Sequence, residues 1–408
     1  MKTVYKVFLT ALCILILSWF LPWLYSLVFP AGVSDPFIAY SPVTDSFIVS
    51  EPGGGDIYAV DAEERRVAPG YTKEERDSLL PHIYYTQLVA QDRLPDTING
   101  HAVSVPVFKH SQWVFSSSPR DINKVPAEVY MMMESMPARI DLEDPDEVFR
   151  LNGQVEFIDI RTNTVNPARS RRFTDIFSQR GFEYHVKLLH ANVTTRKPYD
   201  EGYLMVDNKG DIFHVKMQAG RPYMVRVNKP DSVTAEHVFI LENADTRPLG
   251  LVTDTARNLY VLEHEGYRLI PLPVGKVDPE TDRISVVKNL FNWVVKIGSA
   301  DSSRWVALDS DTYSHLATYT ITYPEVTAGV VEGYLFPFEL SFTSVTDCFA
   351  YPRIEFFSWH FIYLNIVLAL IIFVLCRRHP RRELTVMTVT TLVFGIFAFI
   401  PFVCLDRA

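Results

Sequence analysis

Residues 203–215 read Tyr-Leu-Met-Val-Asp-Asn-Lys-Gly-Asp-Ile-Phe-His-Val. The apolar run 204–206 meets a polar turn at 207–210, and a second apolar run, 212–215, answers it. Asp-Asn-Lys-Gly supplies residues that accept positive φ, as a tight hairpin demands. The same strand–turn–strand pattern recurs at 46–50 with 57–60 around Gly53-Gly54-Gly55-Asp56, at 251–253 with 259–262, and at 294–297 with 305–308. A weaker copy joins 148–150 to 155–158 through Leu151-Asn152-Gly153-Gln154. Copies beginning at 204, 251 and 294 are 47 and 43 residues apart, near the length of one four-stranded propeller blade. A lone hairpin cannot bury its apolar face, whereas stacked neighbours can. The expected fold is a mainly β domain of repeated, propeller-like antiparallel hairpins, with a β-sandwich as the alternative.

A few short helices interrupt the strands. Thr72-Lys73-Glu74-Glu75 has the form of a capping box and predicts a helix over 73–91, kinked or restarted at Pro81. A second helix is expected over 172–179, stopped by Gly181. The proline-broken segment 116–145 suggests a boundary between an N-terminal part, 31–145, and a β-repeat part, 146–355.

Apolar runs flank this region at 7–29, 356–376 and 384–404. Each is about 20 residues, the length a helix needs to cross a bilayer. For the first run, a membrane anchor is preferred to a signal peptide, because the run is long and no small-residue cleavage site follows it. Lys2 and Lys6 precede it in segment 1–6, and Arg377, Arg378, Arg381 and Arg382 lie in segment 377–383. Basic loops stay in the cytoplasm, so both clusters predict the same topology. The chain then crosses three times and leaves 31–355 outside, as a multi-pass protein of the inner membrane with a periplasmic domain. Asn365, Thr391 and Gly395 are the expected helix-packing residues within these spans.

The whole chain carries −9. The charged groups assigned to the inner side sum to +5, which leaves about −14 outside. Such a domain repels phosphate backbones, so nucleic acid is excluded as a partner. Of four cysteines only Cys348 falls outside the spans, so no internal disulfide is expected, and Cys348 is read as a buried small residue.

No zinc spacing, nucleophile elbow or phosphate-binding glycine loop occurs. Neither Met131-Met132-Met133 with Met136 nor the acidic run 141–147 has a ligand pattern that calls for a metal, and no cofactor is expected. His214, at an alternating strand position, and His264 are read as structural or exposed. Arg196, Lys197, Tyr199, Asp200 and Glu201 mix charge with an aromatic ring just before a strand and form the candidate partner-contact loop.

Several phrases carry a family resemblance: Arg93-Leu94-Pro95-Asp96-Thr97-Ile98-Asn99-Gly100, Thr194-Thr195-Arg196-Lys197-Pro198-Tyr199-Asp200-Glu201-Gly202-Tyr203, and Leu335-Phe336-Pro337-Phe338-Glu339-Leu340-Ser341-Phe342-Thr343-Ser344. The chain resembles an uncharacterised bacterial domain-of-unknown-function family of membrane-anchored proteins, typical of Bacteroides-type bacteria. The resemblance implies genes near ABC transporter components and brings no catalytic residues. The resulting expectation is a non-enzymatic accessory subunit, with the lipid bilayer and an ABC transporter permease and ATPase as partners. A periplasmic ligand-binding or sensing module and an envelope hydrolase with an unidentified site stand as alternatives.

Overall fold

The computed structural model describes residues 2–30, 35–67, 69–323 and 327–405. The expected domain start at residue 31 lies outside these. The chain forms two units: Pro36–Ile321, and Met1–Asp35 together with Thr322–Ala408.

Among the described residues, the larger unit holds five antiparallel sheets of four or five strands, laid down in chain order, and a two-stranded ribbon of Thr97–Ile98 with His101–Ala102. Sheet one contains Phe37–Ser41, Ser46–Ser50, Ile57–Val60 and Arg66–Val67. Sheet two contains Tyr130–Met131, Glu147–Leu151, Val155–Asp159 and Thr164–Val165. Sheet three contains Leu188–His190, Tyr203–Val206, Ile212–Gln218 and Arg221–Arg226. Sheet four contains Ala235–Ile240, Pro248–Asp254, Leu259–Glu263 and Leu269–Pro271. Sheet five contains Arg283–Lys288, Asn292–Gly298, Ser302–Asp309 and His315–Thr322, with Trp113–Ser117 added beyond the first of these. All five hairpins expected from the repeat pattern form.

Period-two alternation explains how the sheets stack. Tyr203 and Met205 face a core shared with Phe149 and Phe157 of sheet two. Leu204 and Val206, between and beside them, face Val238, Ile240 and Val252 of sheet four. Leu251 and Val261 turn the other way, toward Ile284, Val286 and Trp293 of sheet five. Val294 and Trp305 of sheet five then meet Tyr40, Phe47 and Val49 of sheet one. Each inner sheet is buried on both faces, so its strands read as nearly continuous apolar runs. Sheets two to five pack face to face in succession and sheet one packs against sheet five, which makes a propeller-like body.

Each sheet also carries an aspartate that closes a tight turn. The Oδ1 atoms of Asp61, Asp159, Asp207 and Asp309 each accept two turn N–H groups at 2.8–3.0 Å. Asp254 Oδ1 accepts from Asn258 N at 2.8 Å. A residue with positive φ follows within four positions: Glu64, Asn163, Gly210, Arg257 and Tyr313. These Asx turns account for part of the acidic composition through backbone N–H groups, and Asp61 pairs with Arg65 as well.

The helix expected over 73–91 restarts at Pro81, one of the two outcomes the sequence allowed: Lys73–Leu79 and Pro81–Ala90 are separate helices, and Pro81 starts a new first turn. Other expectations are corrected. The helix expected over 172–179 begins earlier, at Pro167, where the Asn166 side chain accepts from Arg169 N as the N-cap. Segment 116–145 is no boundary: strand Trp113–Ser117 pairs with Arg283–Lys288, tying the N-terminal part into sheet five. Residues 322–355 belong to the helical unit rather than the β repeat. Cys348 is exposed, not buried.

In the helical unit, Lys2–Val28 is the one described helix long and apolar enough to cross a membrane. The run expected as a helix over 356–376 is helical over Phe361–Leu375 only. The run expected over 384–404 is two helices, Arg381–Phe394 and Ile396–Leu405, broken at Gly395. Asn365 explains the break. Its Nδ2 donates to Leu392 O at 3.0 Å, and its Oδ1 would lie 2.0 Å from a Cβ at residue 395. Only glycine leaves that space, and it holds a φ of 56°. Thr391, fully buried, hydrogen-bonds Met387 O at 2.8 Å, four residues back along its own helix. Arg377 and Arg378 lie in the turn between helices, Arg381 and Arg382 open the next helix, and all four are exposed, as is Lys6. Lys2 opens the first helix.

Candidate functional site

The loop that the sequence singled out, 191–202, joins the first two strands of sheet three. It forms a clamp more than a contact surface. Lys197 has all three ammonium hydrogens engaged: Nζ donates to Asn192 O at 2.6 Å, Asp200 Oδ1 at 2.6 Å and Glu242 Oε1 at 2.8 Å. Its side chain is only 3% exposed, as is that of Asp200. Asp200 Oδ2 accepts from Ser135 Oγ at 2.7 Å, and the Tyr199 hydroxyl donates to Asn243 O at 2.7 Å. Glu201 N donates to Glu242 Oε1 at 2.6 Å. Of the five candidate contact residues, only Arg196 has its side chain in solvent. Partners within their own loop, on strand Ile212–Gln218 and in the connections that carry Ser135 and Glu242 satisfy Lys197, Asp200 and Glu201, which makes them clamp residues rather than surface contacts.

Below this clamp lies a second buried group. Lys216 Nζ donates to Glu201 Oε2 at 2.5 Å. His214 is fully buried, with Nε2 2.6 Å from Glu201 O and Nδ1 2.8 Å from the Tyr267 hydroxyl. The Tyr223 and Tyr267 hydroxyls are 3.0 Å apart. His264 Nε2 approaches Glu201 Oε1 at 3.6 Å from the solvent side. His214 and Lys216 alternate on strand Ile212–Gln218, so both point to one face. Within a strand buried on both faces, two polar residues two apart are the sequence signal for such a network.

Burial pushes the Glu201 carboxyl up, but the hydrogen bonds from His214 and Lys216 outweigh it and hold the group down at about 2. Glu242 goes the other way. Burial raises it, and the Lys197 and Glu201 N–H bonds offset this only in part. Its Oε2 is buried without a hydrogen-bond partner, consistent with that direction. Burial likewise raises the hydroxyls of Tyr199 and Tyr267 above the ordinary tyrosine value. Lys197 and His214 are saturated, so neither is free to attack or deprotonate a substrate. Among the described residues, no group of His, Cys, Asp and Glu is placed to hold a metal ion. Met132 and Met133 are buried, Met132 in the aromatic core between sheets two and three.

Segment 241–247, which carries Glu242 and Asn243, also reaches sheet five. There it borders a cavity of about 330 Å³ lined by Asp245, Arg247, Lys288, Asp311, His101 and His110 among others. Asp245 accepts from Lys288 Nζ at 2.8 Å, and the Lys288 side chain is 8% exposed. Burial acts to raise the Asp245 carboxyl, and the Lys288 hydrogen bond and charge overcome it, so the group sits below its usual value. Sequence reasoning missed this cavity, because its walls come from segments as far apart as His101 and Asp311.

Known structures resemble the chain only distantly. The β-propeller domain of Cps50 (Swd1) from Myceliophteria thermophila aligns at a TM-score of 0.26 and 11% identity, over 50% of this chain and 58% of that one. The Dos1 propeller aligns at 0.26 and 10%, over 71% and 61%. PorZ, a surface component of the type-IX secretion system of Porphyromonas gingivalis, aligns at 0.21 and 10%, over 72% and 33%. The chain thus spans about a third to three-fifths of these proteins. The propeller-like description rests on sheet order and packing, not on them. No curated protein matches the sequence. A family model described as "Domain of unknown function (DUF4857)" matches residues 37–308, two-thirds of the chain, and the chain belongs to that uncharacterised family.

Proposed function

We propose that the chain is a non-enzymatic accessory subunit of an ABC-type transport system, held by three crossings in the inner membrane of a Gram-negative bacterium, with its β unit in the periplasm. The observation that carries this reading is the apolar surface of the helical unit. Leu370 and Val374 are 60% exposed, Phe373 is 52% exposed, and Leu15 and Trp19 on the first helix are about half exposed. Water penalises such a surface and lipid does not. Helix Phe361–Leu375 rises only about 22 Å by itself. Trp359, just before the helix, and Tyr363, in its first turn, suit the headgroup layer. The break at Gly395 suits a membrane too, because Asn365 meets a backbone carbonyl beside it.

The clamp in loop 191–202 supports a non-enzymatic role. Its charges are paired with one another and spent on holding loops together. The ABC partner rests on the gene context that the family resemblance implies. Capture of the tagged chain in mild detergent, followed by mass spectrometry, tests it. Co-recovery of a permease and its ATPase in comparable amounts is the expected result, and recovery of the chain without either contradicts the partnership.

A further inference from the structure

The cavity between sheets four and five holds a guanidinium with unused donors. Arg247 has five N–H donors in a rigid planar fork. One terminal nitrogen donates to Ser310 O. The other reaches Asp311 only at long range, 3.4 Å to Oδ1 and 3.5 Å to the backbone oxygen. Nε is buried and has no hydrogen-bond partner. The guanidinium is held in place by the Tyr313 ring, whose centroid is 4.9 Å from Cζ. A fixed fork whose outer nitrogen is held only by long bonds to Asp311 is a preorganised receptor for a planar or tetrahedral oxyanion.

The acids nearby do not fill this role. Asp245 is committed to Lys288 at 2.8 Å. Asp311 has a side chain 75% exposed, so its attraction is screened by water and easily exchanged. His101 and His110 line the same space and add ring N–H donors, while Leu290 supplies an apolar wall. The volume, about 330 Å³, is at the small end of ligand sites. The acidic charge of the whole chain, −9, disfavours a polyanion and favours a small ligand with one anionic group.

We propose that this cavity binds a small molecule through one oxyanion group, a carboxylate or a phosphate, seated on Arg247 in the place that Asp311 now holds loosely. The site is independent of the transporter partnership, and either can fail alone. Isothermal titration of the full-length chain in detergent, with inorganic phosphate and separately with succinate at fixed ionic strength, tests it. Saturable one-to-one binding of at least one probe is expected, and the stronger of the two assigns the group. Arg247→Lys keeps the charge and loses the fork, so affinity should fall roughly tenfold or more. Asp311→Asn removes the competing carboxylate at an exposed position, so affinity should rise several-fold, a gain that misfolding cannot mimic. Absence of saturable binding by both probes, or an affinity unchanged in either variant, overturns the proposal.

Discussion

Lys197 and Arg196 are sequence neighbours with opposite fates. Arg196 stands in solvent, while Lys197 neutralises two buried carboxylates at 2.6 and 2.8 Å. Removing one partner of a buried ionic group leaves uncompensated charge and costs about 3–5 kcal/mol, whereas exposed substitutions stay within about 0.5 kcal/mol. Lys197→Ala should therefore lower the unfolding temperature of the purified protein by many degrees, and Arg196→Ala should leave it nearly unchanged. Equal, small effects would mean that the loop is a solvated contact surface after all. The sequence marked this loop by its dense mix of charge and aromatic side chains. It could not reveal the burial, because that depends on Glu242 and Ser135, which lie 41 to 65 residues away from their partners.

At the scale of elements, strands were the most legible. A strand buried on both faces needs apolar residues at successive positions, and turns around Asp207 and Asp254 bound such runs clearly. Pairings between remote segments were not legible. Nothing local in Trp113–Ser117 states that it pairs with Arg283–Lys288, since edge choice is settled by tertiary packing. Helices in the apolar tail were read as unbroken for a similar reason. Leu384 to Cys404 is apolar enough for one helix, and only the Asn365 side chain on another helix makes Gly395 a break. That contact is testable by a double-mutant cycle. Gly395→Ala should destabilise the helical unit by about 2–3 kcal/mol, from the clash with Asn365 and from the positive φ. Asn365→Ala should cost about 1 kcal/mol through its lost hydrogen bond. Because Asn365→Ala empties the space that the new methyl group needs, the double variant should cost clearly less than the sum. Strict additivity in detergent unfolding would separate the break from Asn365.

For the whole molecule, five meander sheets in chain order form a body whose N-terminal sheet packs on its C-terminal one, and a helical unit gathers both ends of the chain. In the proposed topology, two basic clusters, Lys2 with Lys6 and the four arginines between 377 and 382, fall on the same side of the membrane. The acidic load fits the other side and is spent in part on closing turns. The proposed role as a transporter subunit depends on that side assignment. Single cysteines introduced into a cysteine-free background at Ile140, Val345 and Arg378, all exposed in the structure, probe it most directly. With intact spheroplasts and a membrane-impermeant maleimide, positions 140 and 345 should be labelled, and position 378 only after the membrane is opened. Labelling at 378 in intact cells, or protection of 140 and 345 until lysis, would contradict the account.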